Sequence, residues 1–315
     1  MRIYFIIYTV IIALSIPVLY LFRSIRKYTT IYFFSILLSV LVIPLRGGYV
    51  SIASITGFPL SAIVGFILYA LLTVYFLKKF KGESIGYILL CILLGCLILS
   101  IPIRLMDFEG TLISLLEEII HILGVLSGYL IYKLPTVRSR ILACILLLSA
   151  CFWLSIPGYE MWSHKLNFRT FTGTVANDHA EYNLTFQTNT GDTLSLSDFK
   201  GKYLLLDCWC GICYSKMPEM QKLYDAYKEN DRVIVCALHS YMEKEENEDY
   251  STGSKILKER DYTYPCWAIN IDDPALKELG VNVYPTVLIF DTQSKLIFRG
   301  RIENAKKMID SYLKR

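Results

Sequence analysis

The chain has 315 residues, 54% of them hydrophobic, and its 32 basic and 28 acidic side chains leave a formal net charge of +4. That length allows two domains. Much of the small positive balance lies in short segments between apolar runs, so it is no signature of a nucleic-acid partner, and none is expected.

The averages conceal a division between residues 1–157, apolar and poor in charge, and residues 158–315, of ordinary mixed composition. Six apolar runs come first, at 3–22, 29–45, 57–77, 84–103, 111–132 and 141–156. Crossing a bilayer takes about 20 apolar residues as a helix, and most of the runs reach that. Residues 1–157 are therefore predicted to be an α-helical transmembrane bundle of six helices in contact with the lipid bilayer. The first run is too long for a cleaved leader, carries one Arg ahead of it, and ends in Phe22-Arg23 without a small-residue cleavage site.

Orientation follows from the loops. The first holds Arg23, Arg26 and Lys27, the third Lys78, Lys79 and Lys81, and the fifth Lys133, Arg138 and Arg140. The second has only Arg46, and the fourth sets Arg104 beside Asp107 and Glu109. Lys and Arg favour the cytoplasmic side. The expectation is a multi-pass protein of the cytoplasmic (inner) membrane with both termini outside and residues 158–315 in the periplasmic, extracytoplasmic space.

The fifth run carries Glu117, Glu118 and His121, spaced so that all three can share part of one helix face. Ionisable groups at such depth usually face a protein interior or a wet cavity. Two readings fit: a proton, quinone or substrate-contact site, or a polar clamp between helices. Cys91, Cys96, Cys144 and Cys151 raise the idea of an electron relay. No pair among them is framed by Pro or Gly, and Cys packs well as a small apolar residue.

Residues 158–169 read as a short juxtamembrane link, with Trp153, Tyr159 and Trp162 suited to the interface. Strands are predicted at 170–175, 182–187, 203–206, 232–238 and 266–270. Helices are predicted from the Cys210–Cys213 stretch to about Glu229, at 253–260, and at 273–279 with Gly280 as its cap. The chain then turns sharply at Pro285 into a strand ending at Phe290, with 296–300 as its hairpin partner and 302–313 as a closing helix. Strands alternating with helices make residues 170–315 an α/β domain, a central mixed sheet with helices on both faces.

Its chemistry lies in Trp209-Cys210-Gly211-Ile212-Cys213. If Cys210 opens the following helix, unpaired N–H groups and the positive end of the helix dipole favour its thiolate. Cys213, three residues on, can attack a mixed disulfide at Cys210, which is the minimal apparatus for thiol–disulfide exchange. Half a zinc site reads the same way, but no second Cys-x-x-Cys or His-x-x-x-His follows to complete four ligands. No metal and no cofactor beyond a Cys210–Cys213 disulfide is expected.

Other candidates admit two readings each. Cys208 adds a third thiol that could form another disulfide or bind copper, though strand alternation would bury it as a small apolar residue. Cys236 reads as core, and Cys266 as a strand start with a second redox role as the alternative. His239 could approach the dithiol as a metal ligand, and a surface histidine is the expectation. Asp207 is either a buried acid serving proton transfer at the second cysteine or a solvated strand-end carboxylate.

Four segments in order resemble the membrane-tethered thioredoxin-like proteins of the TlpA/ResA type. They are Leu196-Ser197-Asp198-Phe199-Lys200-Gly201-Lys202, Trp209-Cys210-Gly211-Ile212-Cys213, Met217-Pro218-Glu219-Met220, and Leu279-Gly280-Val281 through Tyr284-Pro285-Thr286. The resemblance spans about 145 residues. It implies that Cys210 is the attacking thiol, Cys213 the buried resolving one, and Trp209 a shelter for the site. It also implies a cis Pro285 opposite the dithiol, which leaves the backbone at Tyr284 and Thr286 free to pair with a substrate strand.

There are departures: about three residues are missing between the strand and Cys210, and Ile212 stands where the family usually has Pro. The expected function is an extracytoplasmic thiol–disulfide oxidoreductase that reduces envelope proteins or cytochrome c apoproteins. Its partners would be oxidised protein substrates and a membrane electron donor, either a separate protein or the chain's own membrane half. The alternative is a copper chaperone for oxidase assembly built on the same cysteines.

Overall fold

The computed structural model describes residues 22, 25–176, 182–211, 213–243 and 248–314. The first apolar run therefore lies outside the described residues except for Phe22. The chain divides into two compact units, Met1–Glu160 and Met161–Arg315.

In the first unit, α1 spans Arg26–Arg46, α2 Gly57–Lys79, α3 Ile85–Leu97, α4 Leu115–Lys133 and α5 Val137–Trp153. Four continuous helical stretches among the described residues are long and apolar enough to cross a membrane: Arg26–Arg46, Gly57–Lys79, Phe108–Lys133 and Val137–Phe168. Leu41, Leu71, Leu142 and Leu146 point outward and are exposed, while Ile31, Tyr69, Phe76 and Ile92 are buried between helices. The helices α2 and α4 approach closely because Gly124 and Gly128 lie at their contact. A Cβ on either would come within 2.5 Å of a backbone oxygen, of Phe66 or Ala70.

One predicted span is corrected. The run 84–103 is not one helix, because α3 stops at Leu97 and the chain turns before a short helix, Ile101–Met106. Pro102 has no N–H to donate back to Ile98 and cannot continue the ladder. Thirteen residues as one helix reach only about 20 Å, and the short helix carries the run on from the end where Lys27 meets Glu83 to the end where Arg104 meets Glu118. The residues expected as a link are helical: α6, Tyr159–Phe168, follows α5 through a wider π-turn at Leu154–Gly158 that contains Pro157.

The second unit is built on a seven-stranded sheet. Its strands are β1 Thr185–Gln187, β2 Thr193–Ser195, β3 Tyr203–Trp209, β4 Val233–Tyr241, β5 Cys266–Asn270, β6 Thr286–Phe290 and β7 Leu296–Gly300. They lie in the order β2-β1-β5-β4-β3-β6-β7. The β5–β4 and β4–β3 pairings are parallel and the others antiparallel, so the sheet is mixed.

Side chains alternate across the sheet. Leu205, Val235, Val287 and Ile289 face a core shared with α7 (Met217–Tyr227), α8 (Thr252–Glu259) and α10 (Ile302–Leu313). Leu204, Leu206, Leu238 and Leu288 face the opposite core, closed by Leu276 of α9 (Pro274–Glu278) and by Leu279. Asp273 caps α9 by accepting from the Ala275 N–H, and Gly280 ends it at φ +70°.

The predicted strand at 170–175 is absent apart from a single bridge, Thr174 to Phe298. The Gly173 N–H bonds to the Thr170 hydroxyl and Gly173 takes φ +93°, a turn that confines the pairing with β7 to two bonds, Val175 N–H to the Ile297 carbonyl and Arg299 N–H to the Gly173 carbonyl.

Candidate active site

Strand β3 is central, flanked by β4 and β6, and its register fixes what meets the dithiol. Cys208 lies opposite Thr286 in the antiparallel pair. Continuing that register by one and two residues sets Trp209 across from Pro285 and Cys210 across from Tyr284. The Tyr284–Pro285 peptide is cis. Thr286 is fully buried, and its hydroxyl donates to the Val283 carbonyl at 2.6 Å, closing the bend that leads into β6.

The helix does not open at Cys210. The Cys213 N–H bonds back to the Cys210 carbonyl at 2.9 Å, a 3-10 turn follows at Tyr214–Lys216, and α7 begins only at Met217 with Pro218 in its first turn. A proline there is pre-set for helix entry, and the tight turn before it absorbs the dithiol. The expectation that the helix terminus acts directly on Cys210 is therefore set aside.

Both thiols are nearly buried, 6% exposed each, and their sulfurs stand 3.9 Å apart. All nine cysteines are free thiols. Burial pushes the Cys213 thiol up to about 11, so it needs a base before it can attack. Asp207 points to the same face as Leu205 and Trp209, is 5% exposed, and is close enough for its charge to act on Cys213. Burial alone raises its carboxyl to about 7, and its Oδ1 has no protein hydrogen-bond partner among the described residues. Asp207 is thus a buried acid rather than a solvated strand-end carboxylate.

The ring of Tyr284 packs against both cores, and the thiols of Cys208, Cys210 and Cys213 act on its hydroxyl, which burial raises to about 12. Trp209, 3% exposed, packs in the same cluster as the two thiols with its ring 4.5 Å from that of His239. Cys208 lies on the opposite face with Leu206 and Cys236, fully buried and protonated, away from the dithiol side.

The expectation of a surface His239 is corrected. It is fully buried within β4, two residues before the strand ends, paired beside Trp209 and covered by Gly253 of α8. Sequence reasoning also missed Glu248. Its Oε1 lies 3.8 Å from His239 Nε2 and 3.5 Å from where a Cβ on Gly211 would stand, and its Oε2 accepts from the Met242 N–H at 2.9 Å. No local signal marks it, because it stands in a run of polar residues that reads as solvated loop.

In the first unit, Glu117 receives the Arg46 guanidinium at 2.9 Å and the Ser61 hydroxyl. His121 Nε2 is 3.3 Å from the Ser61 carbonyl and 3.9 Å from Glu117. Glu118 pairs separately with Arg104 at 2.8 Å. Arg46, Arg104, Glu118 and His121 line a common cavity with Cys96. The three predicted residues thus sit in one region but in two ion pairs.

The sequence profile of the AhpC/TSA family matches residues 176–299. The thiol-disulfide oxidoreductase ResA of Bacillus thuringiensis is 32% identical over 128 residues, covering 40% of this chain and 69% of that protein. The thioredoxin-like protein YneN of Bacillus subtilis is 28% identical over 149 residues, 46% of this chain and 82% of that one. Among solved structures, the thioredoxin domain of a thiol-disulfide oxidoreductase from Bacteroides vulgatus superposes with a TM-score of 0.37 at 21% identity, over 44% of this chain and 99% of that domain. With the Cys210–Cys213 turn at the end of the central strand and a sheet of this order behind it, the chain belongs to the ResA thiol–disulfide oxidoreductases, and its second unit is the thioredoxin-like part that carries the membership.

Proposed function

We propose that the chain is a membrane-anchored, extracytoplasmic reductase of protein disulfides, with Cys210 as nucleophile and Cys213 as resolving thiol. The observation that carries this reading is the pairing of two thiols 3.9 Å apart with a buried carboxyl, Asp207, acting on Cys213. The Cys210 thiolate attacks a client disulfide, forming a mixed disulfide and releasing one client thiolate. Cys213 then gives its proton to the Asp207 carboxylate and attacks the Cys210 sulfur, which releases the second client thiolate and leaves a Cys210–Cys213 disulfide. Two electrons pass from the dithiol to the client.

Trp209 keeps water from the sulfurs, and the backbone at Tyr284 and Thr286, flanking Pro285, is where an extended client segment would lie. Clients are oxidised envelope proteins or cytochrome c apoproteins. A membrane electron donor restores the dithiol, and apart from that disulfide no cofactor takes part. The loop charges read from the sequence support a location outside the cytoplasmic membrane.

The test is the reduction potential of the pair in the full chain, by thiol trapping across a redox-buffer series with Cys208→Ala in parallel. A value near thioredoxin's, about −270 mV, is expected. A value near about −120 mV would make the protein an oxidant. Absence of a reversible disulfide together with tight Cu(I) binding would replace the reading with a copper chaperone.

A further inference from the structure

Exchange at this site generates a proton with no obvious way out. Asp207 takes it from Cys213, yet Asp207 is buried on the face of β3 that carries Leu205 and Trp209, its charge acts on Tyr264, and among the described residues no cation acts on it. The carboxyl has to exchange protons with solvent in both half-reactions, losing one after Cys213 is oxidised and supplying one when Cys213 is reduced. Whatever returns it to the carboxylate must reach through the face of the sheet that it shares with Trp209 and His239.

That face holds a continuous set of polar groups. Trp209 and His239 are neighbours in the parallel β3–β4 register, and their rings are 4.5 Å apart. Cys266 is in register with Ala237, which in turn is opposite Asp207, and the small Ala237 leaves room between the two larger side chains. The Cys266 thiol is bordered by Asp207, by Trp209 and by the backbone of His239. Gly253 of α8 presses on both His239 and Cys266. A Cβ there would stand 2.5 Å from the His239 Cβ and 2.9 Å from the Cys266 sulfur.

Both ring nitrogens of His239 lack a protein hydrogen-bond partner among the described residues, as does Asp207 Oδ1. Leaving such buried groups unsatisfied costs about 1–3 kcal/mol each, so they are places where ordered water completes the bonding. At the outer end, Glu248 is 12% exposed, 3.8 Å from His239 Nε2, and directly beside Gly211 of the dithiol turn.

We propose that His239 and Glu248 are the proton exit of this site, a relay that takes the proton from Asp207 past Trp209 and Cys266, through bridging water, to solvent. The proposal rests on the dithiol reading above and adds to it the path of the proton. Neutral imidazole suits the task, since one nitrogen donates while the other accepts. Burial lowers the His239 pKa to about 4, which keeps the ring neutral over the working range, a conduit and not a store. The titratable groups that face the path are Asp207 on β3, Cys266 on β5, Tyr264 just before it, and Glu248. For each client disulfide reduced, one proton leaves Cys213, rests on Asp207 and departs through His239 and Glu248, and when the donor reduces the Cys210–Cys213 disulfide a proton returns to Cys213 along the same path, so the relay ends the cycle unchanged.

A relay changes rates and leaves equilibrium alone, and this separates it from a structural role. The experiment uses the full chain in detergent, reduced, mixed with excess peptide disulfide, with release of the second peptide thiol followed from pH 5.5 to 9. Repeated turnover with dithiothreitol as reductant is measured alongside. Glu248→Gln and His239→Asn are expected to slow repeated turnover about tenfold at pH 7. Added imidazole buffer should restore most of the rate, and the reduction potential should stay at the wild-type value.

Wild-type turnover in Glu248→Gln across the pH range, or a loss that no buffer restores and that comes with a shifted potential, would overturn the relay. Glu248→Gln is conservative and partly exposed, so it serves even if His239→Asn does not fold. Cys210→Ser is the separate control. Exchange that survives in it would sink the dithiol reading itself, whereas its loss beside normal Glu248→Gln turnover sinks only the relay.

Discussion

Asp207 is costly where it stands. Its carboxyl is pushed from 3.8 to about 7 by burial alone. Below about pH 4 it is protonated in both folded and unfolded chain and its burial carries no ionisation penalty. As pH rises the unfolded chain ionises first, so folding stability falls, and the loss is complete above about pH 7. At 1.36 kcal/mol per pH unit that amounts to about 4 kcal/mol. Asp207→Asn should therefore be more stable than wild type at pH 8 and converge with it near pH 4, read as melting temperature against pH. The same substitution should slow release of the second client thiol and abolish the rise of that rate through pH 7. At Cys213 the outcome differs: Cys213→Ser leaves the nucleophile without its resolving partner, so mixed disulfides on Cys210 should accumulate and be visible on non-reducing gels. Labelling of Cys210 with no trapped client would argue against the assigned order of attack. Cys210 and Cys213 were legible because their spacing is local. His239 and Glu248 were not, since a histidine near the end of a strand looks the same from sequence whether α8 covers it or water does.

Elements were legible where one periodicity ran unbroken. The strands around 203–206, 266–270 and 296–300 and the helix at 302–313 stand where alternation and amphipathic spacing put them. Elements failed where a local bond competed with the pattern, as at Thr170 and Gly173, or where Pro102 interrupted an apolar run that hydropathy alone read as one helix. Between elements, Arg299 of β7 ties together pieces no pattern connects. It is 8% exposed, its Nε donates to the Phe168 carbonyl at the end of α6 at 2.8 Å, and its Nη1 donates to the Leu279 carbonyl at 2.5 Å. Leu279 precedes Gly280, which leads into the proline loop facing the dithiol. Arg299→Met keeps the length of the side chain and leaves two carbonyls without that donor, a loss of about 2–5 kcal/mol. Urea unfolding followed by tryptophan fluorescence should show a midpoint shift of that size. A shift below about 0.5 kcal/mol would mean that the two carbonyls find other donors.

At the scale of the molecule, the two units are suited to different surroundings, and this yields a prediction about where the dithiol works. Four stretches among the described residues present leucines outward along lengths that match a bilayer, and Arg46–Glu117 and Arg104–Glu118 neutralise the charges that lie among them. The second unit buries its leucines in two cores on either side of a sheet, as a domain in water does. A cytoplasm rich in reduced glutathione gives such a dithiol few disulfides to reduce, whereas the outside of the membrane is where disulfides form and persist. Under the proposed function, Lys78, Lys79 and Lys81 after α2, with Lys133, Arg138 and Arg140 after α4, are expected on the cytoplasmic side by the bias of Lys and Arg toward it. Intact cells treated with a membrane-impermeant maleimide after mild reduction should therefore label the protein at Cys210. Labelling should vanish in Cys210→Ser and leave Cys91 and Cys144 untouched, since both lie on helices of the apolar unit. Labelling of Cys210 only after permeabilisation would invert the topology. The dithiol would then face a compartment where its substrates are scarce, and reduction of envelope proteins would no longer be its task.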